Sequence, residues 1–403
     1  MSDPGEARIA WASAQMPVLA SLGERLSKEK PLAGLKIAAC LHVTAETAVL
    51  VRALAGGGAS VALCAANPHA TQDEVVEALN DIKGVSVFAR RGEDVSELGG
   101  NIAKVLDTEP QVTIDDGADL LVSLHEVRPD LLDGLVGGTE ETTSGLVRLR
   151  AMESEGRLKA PVLAVNEARA ERVFNDHYGT AQSTLDGILR ATNLLYAGRT
   201  IVVLGYGATG RGIAERARGA GAQVIVCEVD AVAALDARME GFEVMPAIEA
   251  AARGDVFITA TGAPSVLSAA HFERMQDGAV LANAGHFDVE IDVTSLPGDG
   301  DQVRPLVTQY KTSDGRRLNL LAQGRVVNLA AGEGHPASVM DLSFALQVLS
   351  VLHLHAEGAA LAPGVHPVPE QIDGEVARLK LASLGVEIDA LTDAQRDYLQ
   401  RWR

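Results

Sequence analysis

The sequence is poor in cysteine and in positive charge, and each shortage argues against a class of protein. Its 403 residues include three cysteines, Cys40, Cys64 and Cys227, which lie in apolar segments without the spacing of metal ligands. Buried, reduced thiols in a cytosolic protein are the simplest interpretation, and no metal site is expected. The net charge of −19 argues against a nucleic-acid-binding surface, which needs positive patches.

Signals for export and for membrane insertion are also missing. Asp3 and Glu6 stand where a signal peptide would have its apolar core, so we expect a cytoplasmic protein. The most apolar late segment, residues 338–355, contains Asp341, Ser343 and Gln347, which favours a core helix over a membrane span. The length predicts two or three domains.

A glycine-rich turn after an apolar strand is the strongest motif. Residues 201–204 form a β-branched run that leads into Gly205-Tyr206-Gly207-Ala208-Thr209-Gly210. In a dinucleotide-binding βαβ unit the first glycine permits the tight turn and the second lets a pyrophosphate approach the backbone. The third allows close packing of the helix, whose free N–H groups then face the phosphate. A tight turn without a ligand is the alternative.

The residues that follow favour the dinucleotide interpretation. A second strand, residues 223–227, ends at Glu228, close to the spacing of an acid that binds ribose, and an acid there favours NAD over NADP. Strands at 255–259 and 279–282 run into Thr261 and Asn283, at the strand ends that line a ligand crevice.

An earlier α/β pattern predicts a second doubly wound sheet. Its strands are expected at 36–41, 60–65, 85–89, 111–114 and 162–165, with a capping box at residues 71–74 starting a helix. Polar residues follow several of these strands, and each alone is explained as a turn or helix-entry residue. Together they predict a polar pocket. They are His42, Asn67, Asp115 with Asp116, and Asn166.

Longer motifs resemble the adenosylhomocysteinase family over nearly the whole chain. The matching segments are Leu41-His42-Val43-Thr44-Ala45-Glu46-Thr47, Asn67 with Thr71-Gln72-Asp73, Asp115-Asp116-Gly117, Glu140-Glu141-Thr142-Thr143-Ser144-Gly145, Gly205-Tyr206-Gly207, Gly285-His286-Phe287-Asp288-Val289-Glu290 and Gly334-His335-Pro336. The resemblance implies a tightly held NAD, a purine nucleoside bound between two hinged domains, and a homotetramer.

The fold class that we predict is α/β, with two doubly wound parallel sheets joined by a hinge and a small C-terminal helical segment. We expect a substrate domain at residues 1–183, an NAD-binding Rossmann domain at 184–335, a return helix at 336–365 and an oligomerisation segment at 366–403. A helix at residues 181–197 is expected to join the two domains.

The resemblance also implies a role for individual residues. Thr44, Glu46, His335 and Met340 are expected around the base, Glu141 and Thr142 at the ribose hydroxyls, and Asn67 in the substrate pocket. His42, Asp116 and His286 would surround the 5′ substituent. NAD contacts are expected from Gly205, Gly207, Gly210, Glu228, Thr261, Asn283 and Asn328.

One segment departs from the family pattern. The family has Lys-x-x-Phe-Asp-Asn before Tyr-Gly, with the lysine and aspartate beside the 3′-hydroxyl. Here the lysine is replaced by Glu171 and the Asp-Asn pair is reversed to Asn175-Asp176. Thr180 stands where many members have cysteine. Glu171, Asn175 and Asp176 are therefore candidate catalytic residues with altered chemistry.

Three functions remain open from the sequence. The first is the family reaction, in which NAD oxidises C3′, the acidified C4′ proton leaves, and homocysteine is eliminated and replaced by water. The second is a nucleoside dehydratase that eliminates water and leaves an exocyclic alkene on the sugar. The third is a catalytically silent NAD-binding regulator. The changed segment motivates the last two.

Overall fold

The structure is a computed structural model that describes residues 3–285 and 288–402. Its strands are β1 (Lys36–Leu41), β2 (Ser60–Ala65), β3 (Val85–Phe88), β4 (Val112–Asp115), β5 (Gly137–Glu140), β6 (Pro161–Ala164), β7 (Thr200–Leu204), β8 (Gln223–Cys227), β9 (Glu243–Val244), β10 (Val256–Thr259), β11 (Ala279–Asn283), β12 (Asp301–Arg304), β13 (Val307–Lys311), β14 (Arg317–Leu321) and β15 (Gly364–Pro367). Its α-helices are α1 (Pro4–Ser13), α2 (Pro17–Glu29), α3 (Ala45–Gly56), α4 (Asp73–Asn80), α5 (Val95–Leu106), α6 (Asp119–Glu126), α7 (Thr143–Ser154), α8 (Ala181–Thr192), α9 (Ala208–Gly219), α10 (Ala231–Met239), α11 (Ala247–Ala250), α12 (Ala269–Phe272), α13 (Val327–Ala330), α14 (Ala337–Glu357), α15 (Glu370–Ser383) and α16 (Asp393–Gln400).

The first sheet is parallel throughout, in the order β15-β6-β5-β4-β1-β2-β3. The chain reverses direction across the sheet between β1 and β4, which creates a crevice at the carboxyl ends of these strands. β1 has five consecutive buried residues, as expected for a strand covered on both faces. The sequence did not predict β5 or β15, because Gly-Gly-Thr-Glu and Gly-Val-His-Pro are poor in strand-forming residues.

The second sheet has the order β12-β13-β14-β11-β10-β7-β8-β9. The six strands from β14 to β9 are parallel, and β12 and β13 add an antiparallel edge. Counted along the chain, the parallel part has the strand order 3-2-1-4-5-6 of a dinucleotide-binding fold, with its switch point between β7 and β10. The predicted pair of doubly wound sheets is confirmed.

Two connections join the two units: a π-helical segment that continues into α8, and α14. α8 ends where Asn193 adopts a left-handed conformation, so the predicted helix at 181–197 stops five residues early. A π-helical segment, Glu171–Thr180, precedes α8 and packs against α9 and α14. α14 returns to the first unit. It is long and apolar enough to cross a membrane, but 72% of its apolar window is buried inside the protein, as in a core helix.

The C-terminal region divides into a packed and an exposed part. β15 extends the first sheet beside β6, and α15 packs on α2 and α14. The boundary expected at residue 366 therefore falls inside a strand. Residues 384–402 are exposed along their whole length.

The predicted capping box at residues 71–74 is wrong. Gln72 is the N-cap of α4 and forms no side-chain cap hydrogen bond. Its side chain instead accepts from the N–H of Ala45, 3.2 Å away, and so ties the start of α4 to the start of α3. The Thr71 hydroxyl is buried without a partner.

Candidate active site

A cavity of about 410 Å³ lies where the carboxyl ends of the two sheets face each other. Both units contribute to its lining, together with the start of α14. Most of the residues predicted from the sequence meet here. The predicted residues that line the cavity are His42, Thr44, Glu46, Asn67, Asp116, Glu141, Thr142, Asn175, Asp176, Thr261, Asn328, His335 and Met340.

Other predicted residues lie behind this lining. Glu171, Asn283, Gly205, Gly207, Gly210 and Glu228 are not part of it. Asn283 is wholly buried, and its side chain accepts from the Thr259 hydroxyl at 2.9 Å and donates to the Gly324 carbonyl at 3.1 Å. These hydrogen bonds join β10 and β11 to the turn at Gly324, and the NAD contact expected of Asn283 stays a prediction. His286 lies outside the residues that the structure describes.

His42 and Asp116 form an acid–base pair at the switch point of the first sheet. Adjacent strands β1 and β4 place the two residues side by side, with His42 Nε2 3.3 Å from Asp116 Oδ2. The Thr47 hydroxyl donates to the His42 carbonyl at 2.5 Å, while His42 Nδ1 is buried without a partner. The pair is placed to move a proton at the cavity surface.

Three carboxyl groups, Glu141, Glu171 and Asp176, form what we call the acid wall. Glu141 follows β5, and the other two lie on the π-helical segment. Burial raises the pKa of Glu141 well above its usual range, and the charges of Asp116 and Glu171 raise it further. Its main partner is the Gln347 side-chain amide, which donates at 3.2 Å.

Glu171 and Asp176 differ in proton state. The Glu171 side chain is buried, and burial raises its pKa to about 8, although a hydrogen bond from Ser343 acts in the opposite direction. Burial also raises the pKa of Asp176, to about 6, against the attraction of Arg172. At neutral pH Glu171 is therefore mostly protonated and Asp176 mostly ionised.

His335 is held as a neutral ring. Burial lowers the pKa of its imidazole to about 4. Its Nε2 lies 2.9 Å from the Thr180 hydroxyl oxygen, so Thr180 fixes the ring orientation. The ring can exchange hydrogen bonds with a ligand without adding positive charge.

At the far end of the cavity, burial raises the pKa of Glu46, partly offset by a hydrogen bond with Thr44. Asn67 accepts the N–H of His69 at 3.0 Å, so the turn-forming explanation holds for it even though it lines the cavity. Asn166 accepts from the Thr143 hydroxyl at 2.9 Å.

The glycine turn fits a dinucleotide. Gly205 has a φ of +98°, and a Cβ on Gly210 would come within 2.0 Å of the Gly205 carbonyl oxygen. Gly207 by contrast faces open space. α9 begins at Ala208 without a side-chain cap, which leaves its first N–H groups available to a pyrophosphate.

The neighbouring acid and amide complete this fit. Glu228 accepts the N–H groups of Tyr206 and Val229 at 2.6 Å each and that of Asp230 at 2.9 Å. These bonds fix its carboxylate at the end of β8, where a ribose hydroxyl would bind. Asn328 Oδ1 is buried without a hydrogen-bond partner, so it can accept a hydrogen bond from a bound ligand.

Sequence reasoning missed several residues that hold the site. Glu290 is buried and accepts the N–H of Thr261 and its hydroxyl at 2.9 and 2.8 Å, and the N–H of Gly262 at 2.8 Å. Ser343 and Gln347 interrupt the apolar pattern of α14. This interruption is the sign in the sequence that the two side chains have polar partners. Both point to the acid wall rather than into the apolar core.

Comparison with known proteins agrees with this architecture. Residues 1–131 match the family model described as S-adenosyl-L-homocysteine hydrolase, and residues 176–334 match its NAD binding domain. The chain is 54% identical to an adenosylhomocysteinase of Aquifex aeolicus, with 100% of this chain and 97% of the relative covered. It is 52% identical to an S-inosyl-L-homocysteine hydrolase of Methanopyrus kandleri (100% and 96% covered) and 54% identical to one of Methanosarcina acetivorans (99% and 97% covered).

Fold and site together define an NAD-dependent enzyme with an acid–base pair beside its cofactor crevice. The extent and level of identity specify the group: the chain belongs to the S-adenosyl-L-homocysteine hydrolase family. These relatives do not favour a dehydratase or a silent regulator.

Proposed function

We propose that the protein hydrolyses an S-nucleosyl-L-homocysteine, with S-adenosyl-L-homocysteine as first candidate, to the nucleoside and homocysteine. One observation carries the proposal: a single cavity contains both the His42–Asp116 pair and the entrance to the dinucleotide crevice. Bound NAD supplies reversible oxidation of the sugar, which makes the neighbouring C–H acidic.

The chain's own residues hold the reactants. Gly205, Gly207, Gly210, Glu228 and Asn328 would bind NAD, and Thr261 faces the same crevice from a loop that Glu290 fixes. The free acceptor of Asn328 and the open space before Gly207 support this assignment.

The first unit would bind the nucleoside. Thr44 and Glu46 face the base, and Thr142 binds the ribose with Glu141. Met340 closes over the base, together with His335, which stays neutral and so does not compete for a proton. The His42–Asp116 pair would protonate the leaving group and deprotonate water at C5′.

The acid wall would lie beside the sugar hydroxyl that NAD oxidises. Asp176 is mostly ionised at neutral pH and lines the cavity, so its carboxylate is suited to accept a hydroxyl proton. A general base works best with a pKa near the operating pH. Asn175 donates to Ser343 at 3.0 Å, which fixes the segment. Glu171 stands behind Asp176 as a neutral acid.

Hypoxanthine is the second candidate base, because two of the compared relatives are S-inosyl-L-homocysteine hydrolases. A protonated Glu46 has one donor and one acceptor, which pair with N1 and the N6 amine of adenine or with O6 and N1–H of hypoxanthine. Burial raises the pKa of Glu46, which favours this protonated form over the carboxylate more than at an exposed glutamate.

We further propose a cytoplasmic homotetramer. Residues 384–402 expose large apolar side chains, including Leu384, Ile388, Leu391 and Leu399, and α16 projects from the packed body. Such an apolar segment is suited to packing against another copy. Sedimentation of the full chain would show a single species of four times the monomer mass.

Thiol release tests the function. NAD-saturated protein is incubated separately with S-adenosyl-L-homocysteine and S-inosyl-L-homocysteine, and free thiol is measured alongside nucleoside by mass spectrometry. We expect stoichiometric thiol and nucleoside from at least one substrate. Absence of thiol from both, together with a product lighter by one water from a purine nucleoside, would replace the proposal with the dehydratase reaction.

A further inference from the structure

Asp176 has no side-chain partner that fixes its position. It lines the cavity, yet among the described residues its carboxylate makes no hydrogen bond or ion pair. Arg172 attracts it, but the Arg172 side chain is 59% exposed and lies 3.7 Å from Glu167. The position of the Asp176 carboxylate therefore depends on the backbone of the π-helical segment and on the contacts that hold this backbone.

The π-helical segment is held between α14 and α9. On the α14 side, Asn175 donates to Ser343 at 3.0 Å. On the α9 side the two backbones touch, because a Cβ on Gly212 would come within 2.0 Å of the His177 carbonyl oxygen. α9 is the helix that begins at the glycine turn, so the dinucleotide crevice and Asp176 share one support.

His177 adds a side-chain contact with the same helix. Its Nε2 lies 3.1 Å from Glu215 Oε2, and the two side chains are 17% and 31% exposed. The other carboxylate oxygen of Glu215 accepts from Arg211 Nε at 3.2 Å, so the carboxylate is oriented from two sides. Arg211 follows Gly210 in the first turn of α9. A line of charged contacts thus runs from the glycine turn to the residue beside Asp176.

Tyr178 packs around the same contact. The Arg216 guanidinium lies over the Tyr178 ring, 5.4 Å from its centroid, and the rings of His177 and Tyr178 meet edge to face with their centroids 4.7 Å apart. The His177 ring is therefore packed with Nε2 toward Glu215. Since a partly exposed ion pair adds little to stability, the main effect of this pair is expected on the position of the segment.

We propose that His177 is a positioning residue, which through its pair with Glu215 holds the backbone of Asp176 against the cofactor helix. The inference rests on the proposed function, in which Asp176 accepts the proton of the sugar hydroxyl that NAD oxidises. A displacement of about 1 Å in a reacting group can lower a rate by roughly 100-fold. Loss of the pair should therefore slow oxidation of the sugar more than it weakens binding of the nucleoside.

Adenosine-dependent NADH formation tests the inference. NAD-saturated protein is mixed with adenosine, and absorbance at 340 nm gives the maximal rate and the half-saturating adenosine concentration. In H177A the maximal rate should fall roughly 10- to 100-fold, with the half-saturating concentration changed less than about threefold. H177Q keeps an N–H donor for Glu215 and should restore most of the rate. Bound NAD should stay at the wild-type level, because Glu215 lies about two turns beyond the start of α9.

A double mutant shows whether the two side chains act together. If they do, E215A should slow the reaction as much as H177A, and H177A/E215A should be no slower than either. H353A is the matched control, because His353 lies 3.8 Å from Glu357 within a single helix, α14. Its rate should equal that of the wild type.

Three results would overturn the inference: a wild-type rate in H177A, losses that add up in H177A/E215A, or an H177Q variant as slow as H177A. Each leaves the nucleoside site standing, because the wild type still forms NADH. Absence of both NADH formation and thiol release in the wild type would contradict the proposed function itself.

Discussion

The acids of the two units differ in how fully they are paired. In the cofactor unit, Glu228 accepts three backbone N–H groups, and Glu290 accepts two N–H groups and a hydroxyl. In the substrate unit, Asp176 has no such partner among the described residues, and Glu171 keeps a buried oxygen free. Paired acids shape a site in advance, whereas unpaired acids need the ligand to complete them.

This contrast separates binding from chemistry. Backbone N–H donors fix the carboxylates of Glu228 and Glu290 in place, so these two acids hold structure. A carboxyl in a buried, poorly paired position has a pKa near neutrality and can exchange protons. We therefore expect substitutions in the two regions to change different measurements.

The largest effect is expected for D116N in the substrate unit. Asparagine keeps the shape but removes the acid beside His42, so the turnover rate should fall by roughly 10²- to 10⁴-fold. NAD content should stay at the wild-type level. D133N, at an exposed position of the short 3-10 helix Pro129–Gly134, serves as control. A turnover rate within threefold of the wild type would show that this acid has no part in proton transfer.

A smaller, different effect is expected for E290Q in the cofactor unit. Glutamine provides one acceptor where the carboxylate has two, and its amide group faces donors. NAD affinity should fall about 10- to 100-fold, whereas turnover at saturating NAD should change little. Titration with NAD monitors the change, with E273Q as exposed control. If turnover fell and affinity did not, the distinction between the two regions would be lost.

The third prediction concerns stability and pH. Glu171 has a folded pKa of about 8 against an ordinary value near 4.5, so the folded state keeps a proton that the unfolded state loses. The wild type should therefore lose stability as pH rises from about 4.5 to 8. In E171Q the loss of stability is absent, because glutamine has no proton to lose in this pH range.

From pH 5 to pH 9, the free energy of unfolding of E171Q should rise by about 1–3 kcal/mol relative to that of the wild type. Urea unfolding at both pH values, with the exposed E29Q as control, measures the gain. Parallel stability curves for E171Q and the wild type would mean that Glu171 is not buried as a neutral acid.

The smallest effect is expected for T180V. Valine removes the hydroxyl that lies 2.9 Å from His335 Nε2, so the turnover rate should fall by up to about 10-fold, and T180S should restore most of it. The pH profile should also broaden, because the ring is no longer fixed. A T180S variant as impaired as T180V would point to packing rather than hydrogen bonding.

Much of this architecture followed from the sequence because local patterns specify it. Apolar strands ending in small or polar residues predicted both sheets, and the spacing of Gly205 to Glu228 predicted the cofactor crevice. β5 was missed because its stability comes from burial between β4 and β6 rather than from its own residues. Long-range packing, which local patterns do not encode, decided that case.

The residues that line the site were predicted from the sequence, but the residues that hold them in place were not. Gln347 is 206 residues from Glu141, and Ser343 is similarly far along the chain from Glu171, so only the return of α14 brings them to the acids that they contact. The structural role of Asn283 was missed for a similar reason, since the Gly324 carbonyl that it binds is 41 residues away. Burial, which sets the proton states of Glu171 and His335, is likewise a property of the folded chain.

Exchange of the sugar C4′ hydrogen tests the central claim most directly. The NAD-saturated protein is incubated in ordinary water with adenosine deuterated at C4′, and the nucleoside is recovered for mass spectrometry while absorbance at 340 nm is followed. We predict loss of the deuterium together with an NADH signal. Retention of the deuterium in bound, recovered adenosine, with no NADH formed, would contradict the redox-assisted mechanism.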